Sequence, residues 1–225
     1  MAENVRCLSE VRLEPAGSNL IFGENASGKT SLLEAIFILG RGRSFRTAAR
    51  DTLVRDGEDS LTVTGIVSAA GREIPVGIGI EKQGPPRIRV NGQDESSVAT
   101  LAQWVPVQVI DPQIHQLVDE GPGVRRRFLD WGVFHVEPRF LGAWRRYHRA
   151  VRQRNAALKT SKVGELDSWD QEVSKTGEEL SGYRRQYVKL LEKHLVELGI
   201  QLLDEEPKII YQQGWPEEKS LGQAL

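Results

Sequence analysis

The chain carries one cysteine, Cys7. A single thiol excludes an internal disulfide and fits a reducing compartment. Long apolar runs are missing too: none reaches the roughly 20 residues that a membrane-spanning helix needs. The first twenty residues scatter Glu3, Glu10 and Glu14 among apolar positions, which is not the pattern of a signal peptide. Repeats and low-complexity segments are absent. There is no excess of charge of one sign, since 30 Lys and Arg against 31 Asp and Glu leave a net charge of −1. The chain as a whole is therefore neither a polyanion binder nor an acidic decoy. His115, His135, His148 and His194 show no metal-ligand spacing, so surface or core positions are expected for them. A soluble cytoplasmic protein is the expectation, with 39% hydrophobic residues for a packed core and a length suited to one large domain or two small ones.

What is present begins with Gly23-Glu24-Asn25-Ala26-Ser27-Gly28-Lys29-Thr30, which fits G-x-x-x-x-G-K-[ST] at every fixed position. "GSNLIF", residues 17–22, reads as a short buried strand before it. Ser31 to Leu39 reads as a helix after it, with Leu32, Leu33, Ile36, Phe37 and Leu39 on a broad apolar face. Gly23 and Gly28 let the backbone curl around a phosphate, and the N–H groups so freed form a nest for anionic oxygens. The helix N-terminus adds its partial positive charge. Lys29 is placed to reach the β- and γ-phosphates and the Thr30 hydroxyl to ligate Mg²⁺, with Ser31 beside it. The plainer alternative is a glycine turn ahead of a helix with an exposed lysine. A chance match somewhere in such a chain arises about once in a hundred.

Beyond Gly40 the chain continues "RGRSFRT", residues 41–47, and later "DEGPGVRRRFLDWGVFHVEPRF", residues 119–140, and "QRNAAL", residues 153–158. Together with the glycine loop these segments resemble the RecF family of bacterial DNA replication and repair proteins, relatives of the SMC ATPase heads, and the resemblance runs over essentially the whole chain. It implies an α/β fold, a P-loop NTPase head of the ABC type, with an ATP-binding lobe I that includes a β-rich subdomain (residues 1–122), a helical lobe II (123–206) and the start of a strand returning to the core (207–225). It implies ATP and Mg²⁺ as cofactors and a clamp of two copies that closes on ATP. It further implies action at gapped DNA in recombinational repair, replication restart and the SOS response, with RecR and RecO as partners. Asn4 and Arg6 match the N-x-R segment that approaches the nucleotide in such relatives. Gln113, in the Asp111-Pro112-Gln113 loop, is placed where a residue could contact Mg²⁺. The family's signature motif and Walker B acids find no counterpart: "IQLLDEE", residues 200–206, interrupts its apolar run with Gln201. The first strand looks clipped. The chain as given is therefore expected to bind ATP without sustaining turnover, and to be poorly soluble because the elements that would cover Ile21, Phe22 and the Leu32–Leu39 face are missing.

Along the rest of the chain, residues 60–83 alternate apolar and polar around the turn Ala70-Gly71-Arg72, which reads as a hairpin. "PRIRVNGQD" adds a strand ending in an Asn91-Gly92 turn. Trp104 to Pro112 reads as a buried strand. Helices follow from residue 123. In the helix after Pro138, Phe140, Trp144, Tyr147, Val151 and Leu158 fall on one face. A linker over 160–165 leads to a long helix ending near Leu203, antiparallel to its predecessor. "KIIYQQGW", after Pro207, reads as a strand.

Between Pro138 and Gly164 there is no acidic residue, while eight Arg and Lys occur. Arg145, Arg149 and Arg152 recur at helical spacing and are candidates for DNA phosphate contacts. The alternative is an ordinary solvated face, or pairing with Glu165, Asp167, Asp170 and Glu172. In Arg125-Arg126-Arg127 a structural role comes before a phosphate role, and Asp130 is spaced for an intrahelical pair with Arg126. Two other functions stay open: the ATPase head of another SMC-like protein, and a non-hydrolysing DNA- or RecR-binding fragment with a vestigial P-loop.

Overall fold

The computed structural model describes residues 1–69, 71–160, 164 and 166–225, the side chains of Gln113 and Ile114 excepted. It forms two units, Met1–Pro112 and Gln113–Leu225.

The first unit is built on a six-stranded antiparallel sheet in the order β2-β1-β3-β4-β5-β6. Strands β1 (Ala2–Val5) and β2 (Leu8–Val11) precede helix α1 (Lys29–Arg41). The expected hairpin is β3 (Ser60–Ala69) with β4 (Arg72–Glu81), in register from Ser60↔Glu81 to Ala69↔Arg72. Its period-2 pattern puts Leu61, Val63, Ile74, Val76, Ile78 and Ile80 on the buried face. Next come β5 (Arg87–Val90) and β6 (Gln93–Glu95). Asn91 (φ 51°) and Gly92 (φ 78°) join them, the paired positive φ of a type I′ turn. Helix α1 lays Ala35, Ile38 and Leu39 against this face. Gly65 lets it approach, because a Cβ there would lie 3.0 Å from Leu39 Cδ2.

The face of α1 that packs is rotated from the expected one. Phe37 and Leu39 are buried as read, but Leu33 is 48% and Ile36 37% exposed, whereas Ser31, Glu34 and Ala35 are buried. Two expected strands are absent from the first unit. Residues 17–22 and 105–111 carry no strand, and Leu20, Phe22 and Ile110 are exposed. A strand needs a neighbour for its N–H and C=O groups, and no described strand pairs with either segment. Trp104 instead ends an unexpected helix, α2 (Val98–Trp104), whose N-cap Ser97 accepts from the Ala99 N–H. Leu101 of α2 is fully buried in the core.

The second unit is helical: a 3₁₀ turn (Pro112–His115 by hydrogen bonding), α3 (Gln116–Asp119), α4 (Pro122–Val136), α5 (Phe140–Lys159), α6 (Leu166–Leu203) and α7 (Leu221–Ala224). The linker expected over 160–165 lies largely outside the described residues. Phe140 stacks edge-on with Tyr183, and Arg154 pairs with Asp170, so α5 and α6 run antiparallel as expected. Ala143, Ala150 and Ala157 form a buried seam at heptad spacing. Phe140 is buried with them, Trp144, Tyr147 and Val151 pack half-buried alongside, and Leu158 is exposed, contrary to its expected place on the apolar face. The segment after Pro207 is no strand. Ile209, Tyr211, Gln213 and Trp215 do alternate inward, but the Tyr211 hydroxyl donates to Ser181 of α6, Gln213 Oε1 accepts from Arg185 of α6, and Gln213 Nε2 donates to the Trp215 and Pro216 carbonyls, so no strand partner is involved. Asp130 pairs with Arg184 of α6 at 2.7 and 3.0 Å, not with Arg126. No helix among the described residues is long and apolar enough to cross a membrane.

Candidate nucleotide-binding site

Residues 23–31 form one continuous loop and helix start. Gly23 (φ 151°), Ala26 (φ 65°) and Gly28 (φ 93°) all have positive φ, so the backbone turns repeatedly in the left-handed sense. The Ser27 N–H closes the loop on the Glu24 carbonyl at 3.3 Å. Gly28 is the N-cap of α1, and no side chain caps the helix. The first turn therefore keeps its orphan N–H donors for an external anion. A Cβ on Gly28 would sit 2.8 Å from Leu8 Cδ2 and 3.3 Å from Cys7 Sγ, so the β1–β2 turn is the floor on which the loop rests. The Lys29 ammonium arches back over the loop and donates to the Gly23 and Glu24 carbonyls at 2.9 and 2.7 Å. Glu24, Asn25, Ala26, Ser27 and Thr30 are exposed. Ser31 is buried, with Oγ 3.5 Å from Cys7 Sγ.

These residues fit a nucleoside triphosphate with magnesium: they bring together the uncapped amides of a helix start, a loop with three positive-φ residues, the Lys29 ammonium bent back over that loop and an exposed hydroxyl on Thr30. Asn4 (φ 55°) is the next-to-last residue of β1, where its carbonyl accepts from the Arg55 N–H. Arg6 is occupied elsewhere. It donates from Nε and Nη2 to Glu34 at 2.9 Å each, and from Nη1 to the Thr52 carbonyl at 2.8 Å. The side chain of Gln113 lies outside the described residues.

Glu34, close to Thr30 in sequence, does not point along an open face of α1. It is fully buried one turn beyond Thr30, accepts a hydrogen bond from Ser44 Oγ, and lies 3.7 Å from Arg46 Nη1. Burial pushes its pKa up, but the hydrogen bonds from Arg6 and Ser44 and the two guanidiniums bring it below the ordinary carboxylate value. Nothing local in "SLLEAI" signals this, because the partners lie at positions 6, 44 and 46.

Among the described residues no group of three His, Cys, Asp or Glu side chains could hold a metal. The basic run on α5 divides. Arg146 pairs with Glu179 at 2.7 Å and approaches Glu172 at 4.0 Å, and Arg154 pairs with Asp170, so these two join α5 to α6. Arg145, Arg149 and Arg152 are exposed. His148 packs on Trp144 with ring centroids 4.0 Å apart, and burial with the nearby Arg184, Arg152 and Arg126 holds its pKa below the usual value. Arg125 Nη1 donates to the carbonyls of Leu117, Val118 and Glu120, a structural role at the end of α3.

Over residues 2–120 the chain matches the AAA domain family. It is 41% identical to the DNA replication and repair protein RecF of Pseudomonas paraeruginosa, over 98% of this chain and 61% of that protein. To RecF of Azotobacter vinelandii it is 40% identical, over 98% and 62% respectively. The chain thus spans about three-fifths of the length of these curated relatives. Two solved structures are similar over 99% of it. One, described as the recombination mediator protein RecF-ATPrS in the RecFOR pathway, has a TM-score of 0.84 at 30% identity, with 62% of that chain covered. The other, RecF-ATP, has a TM-score of 0.83 at 27% identity and 64% coverage. The resemblance to RecF and the ATPase-head fold read from the sequence are both borne out.

Proposed function

Since this chain belongs to the AAA domain family, we propose that it binds ATP with Mg²⁺ on the 23–31 loop and DNA on its basic surfaces, in a RecF-like role in DNA replication and repair. The observation that carries the nucleotide reading is the uncapped start of α1 behind a left-handed Gly28, with Lys29 arched over the loop. The amides at the start of α1 receive phosphate oxygens. Lys29 exchanges its two backbone carbonyls for the β- and γ-phosphates, and Thr30 supplies a hydroxyl to the metal, which would neutralise phosphate charge. Leu8 and Cys7 keep the loop from collapsing toward the sheet.

The exposed Arg145, Arg149 and Arg152 supply a sequence-independent phosphate contact on the second unit. Assembly with RecR and RecO, and ATP-dependent pairing of two copies at gapped DNA, belong to the same reading, and what supports them is the likeness to RecF. Titration of the chain with Mg·ATP tests the central claim. Saturable binding that weakens at least tenfold in Lys29→Ala, with the circular dichroism unchanged, is expected. Equal affinity in the variant would reject the loop as the site.

A further inference from the structure

A second cationic feature of the first unit lies outside residues 23–31. Beyond the C-terminus of α1, residues 42–48 and 50 line a cleft of about 450 Å³ together with the apolar Leu53 and Ile80. Arg43, Arg46 and Arg50 are the charged residues of that lining, and no acid is among them. The segment lining the cleft follows the C-terminus of α1 and folds back along it, so that Ser44 and Arg46 reach Glu34, one turn beyond Thr30.

The acid that Ser44 and Arg46 reach, Glu34, does not cancel this charge. Glu34 is already engaged by both donors of Arg6, so Arg46 at 3.7 Å is a second cation sharing one carboxylate. Glu34 also anchors the loop. Ser44 donates to it and accepts from the Arg46 and Thr47 N–H groups at 2.8 and 3.2 Å. Phe45 stacks edge-on with Phe37, and Arg50 is braced by the Gly84 carbonyl at 2.7 Å. Two of the three guanidiniums, those of Arg46 and Arg50, are thus held in place in advance, which lowers the ordering cost of binding an anion. The C-terminal dipole of α1 opposes an anion there, but it acts over the last turn only, and the Gly42 N–H already satisfies the Ile38 carbonyl.

We infer that this cleft is a phosphate-backbone contact for nucleic acid, separate from the nucleotide loop, with Glu34 as the residue that positions it. Arginine forks suit phosphate oxygens, and with the Phe45 ring stacked on Phe37 the lining favours a backbone over a base. The inference rests on the DNA reading proposed above and adds a site on the first unit.

The test is fluorescence anisotropy of the 225-residue chain with a labelled gapped duplex across a salt series. Arg43→Gln/Arg50→Gln is compared with Arg149→Gln/Arg152→Gln, with Mg·ATP affinity measured in parallel. The expected result for the cleft variant is about tenfold weaker binding and a salt slope smaller by about 2, with ATP affinity unchanged. Arg43→Lys/Arg50→Lys, which keeps both charges, should fall between it and the unmodified chain. Unchanged DNA affinity in the cleft variant, alongside weakening in the α5 variant, overturns the cleft alone. Loss of ATP affinity in the cleft variant overturns it in favour of a nucleotide role. Failure of the unmodified chain to bind DNA overturns the cleft and the DNA reading together.

Discussion

Glu34 joins more of the first unit than any other single side chain described above. Its carboxylate gathers Arg6 from the β1–β2 turn, Ser44 from the loop after α1, and Arg46 at longer range. The same β1–β2 turn supports Gly28. Removing one partner of a buried pair leaves the other uncompensated, at a cost of about 3–5 kcal/mol. Arg6 keeps 21% side-chain exposure, so the lower end, about 3 kcal/mol, is expected for Glu34→Gln by urea denaturation. The pH dependence follows from the direction of the shift. The folded-state pKa is depressed below an unfolded value of about 4.3. The stabilisation is therefore complete above that value and is lost as pH falls through the folded pKa. The gap between the two proteins should be constant near neutrality and close in acid. A gap that persists undiminished in strong acid would show that the charge of Glu34 is not what holds the network.

Elements were legible where their signals are local. The 60–81 hairpin and the Asn91-Gly92 turn rest on alternation and on residues that tolerate positive φ, so the sequence reading and the structure agree there. Residues 17–22, 105–111 and 208–213 carry strand-like composition as well, yet alternation fixes only which side chains point together. Whether a strand forms depends on a hydrogen-bonding neighbour, which no local pattern can reveal. Helices α2 and α7 went unread although both carry start signals. Ser97 caps the first, and Ser220 and Gln223 form a reciprocal capping box on the second. In α7 the Leu221 N–H also donates to Glu178 at 2.9 Å, and the Leu221 side chain packs with Ala150 and Val173. Ser220→Ala should cost about 1 kcal/mol, concentrated in the last turn. Hydrogen exchange would then accelerate at residues 221–225 while α5 and α6 keep their protection. Unaltered exchange in this segment would mean that packing of Leu221, rather than the cap, holds α7.

At the scale of the whole molecule, a net charge of −1 conceals two separate cationic surfaces, one in each unit, and a phosphate loop that is local in sequence and therefore readable without a structure. Binding a triphosphate and cleaving it make different demands. Cleavage needs groups that hold the metal from a second side and orient the attacking water. Glu34 is the acid closest to Thr30 along α1, and its oxygens are taken up by Arg6 and Ser44. It is therefore not free to act as base or metal ligand, and among the described residues no group of three acids, histidines or cysteines is gathered to hold a metal. The expected behaviour is binding without turnover. Mg·ATP at a hundred times its dissociation constant should stabilise the chain by about 2.7 kcal/mol, seen as a raised unfolding midpoint. Phosphate release should stay at the level of Lys29→Ala, and the same variant should abolish the stabilisation. Steady release in the unmodified chain that vanishes with Lys29→Ala would mean that these 225 residues supply the hydrolytic groups themselves.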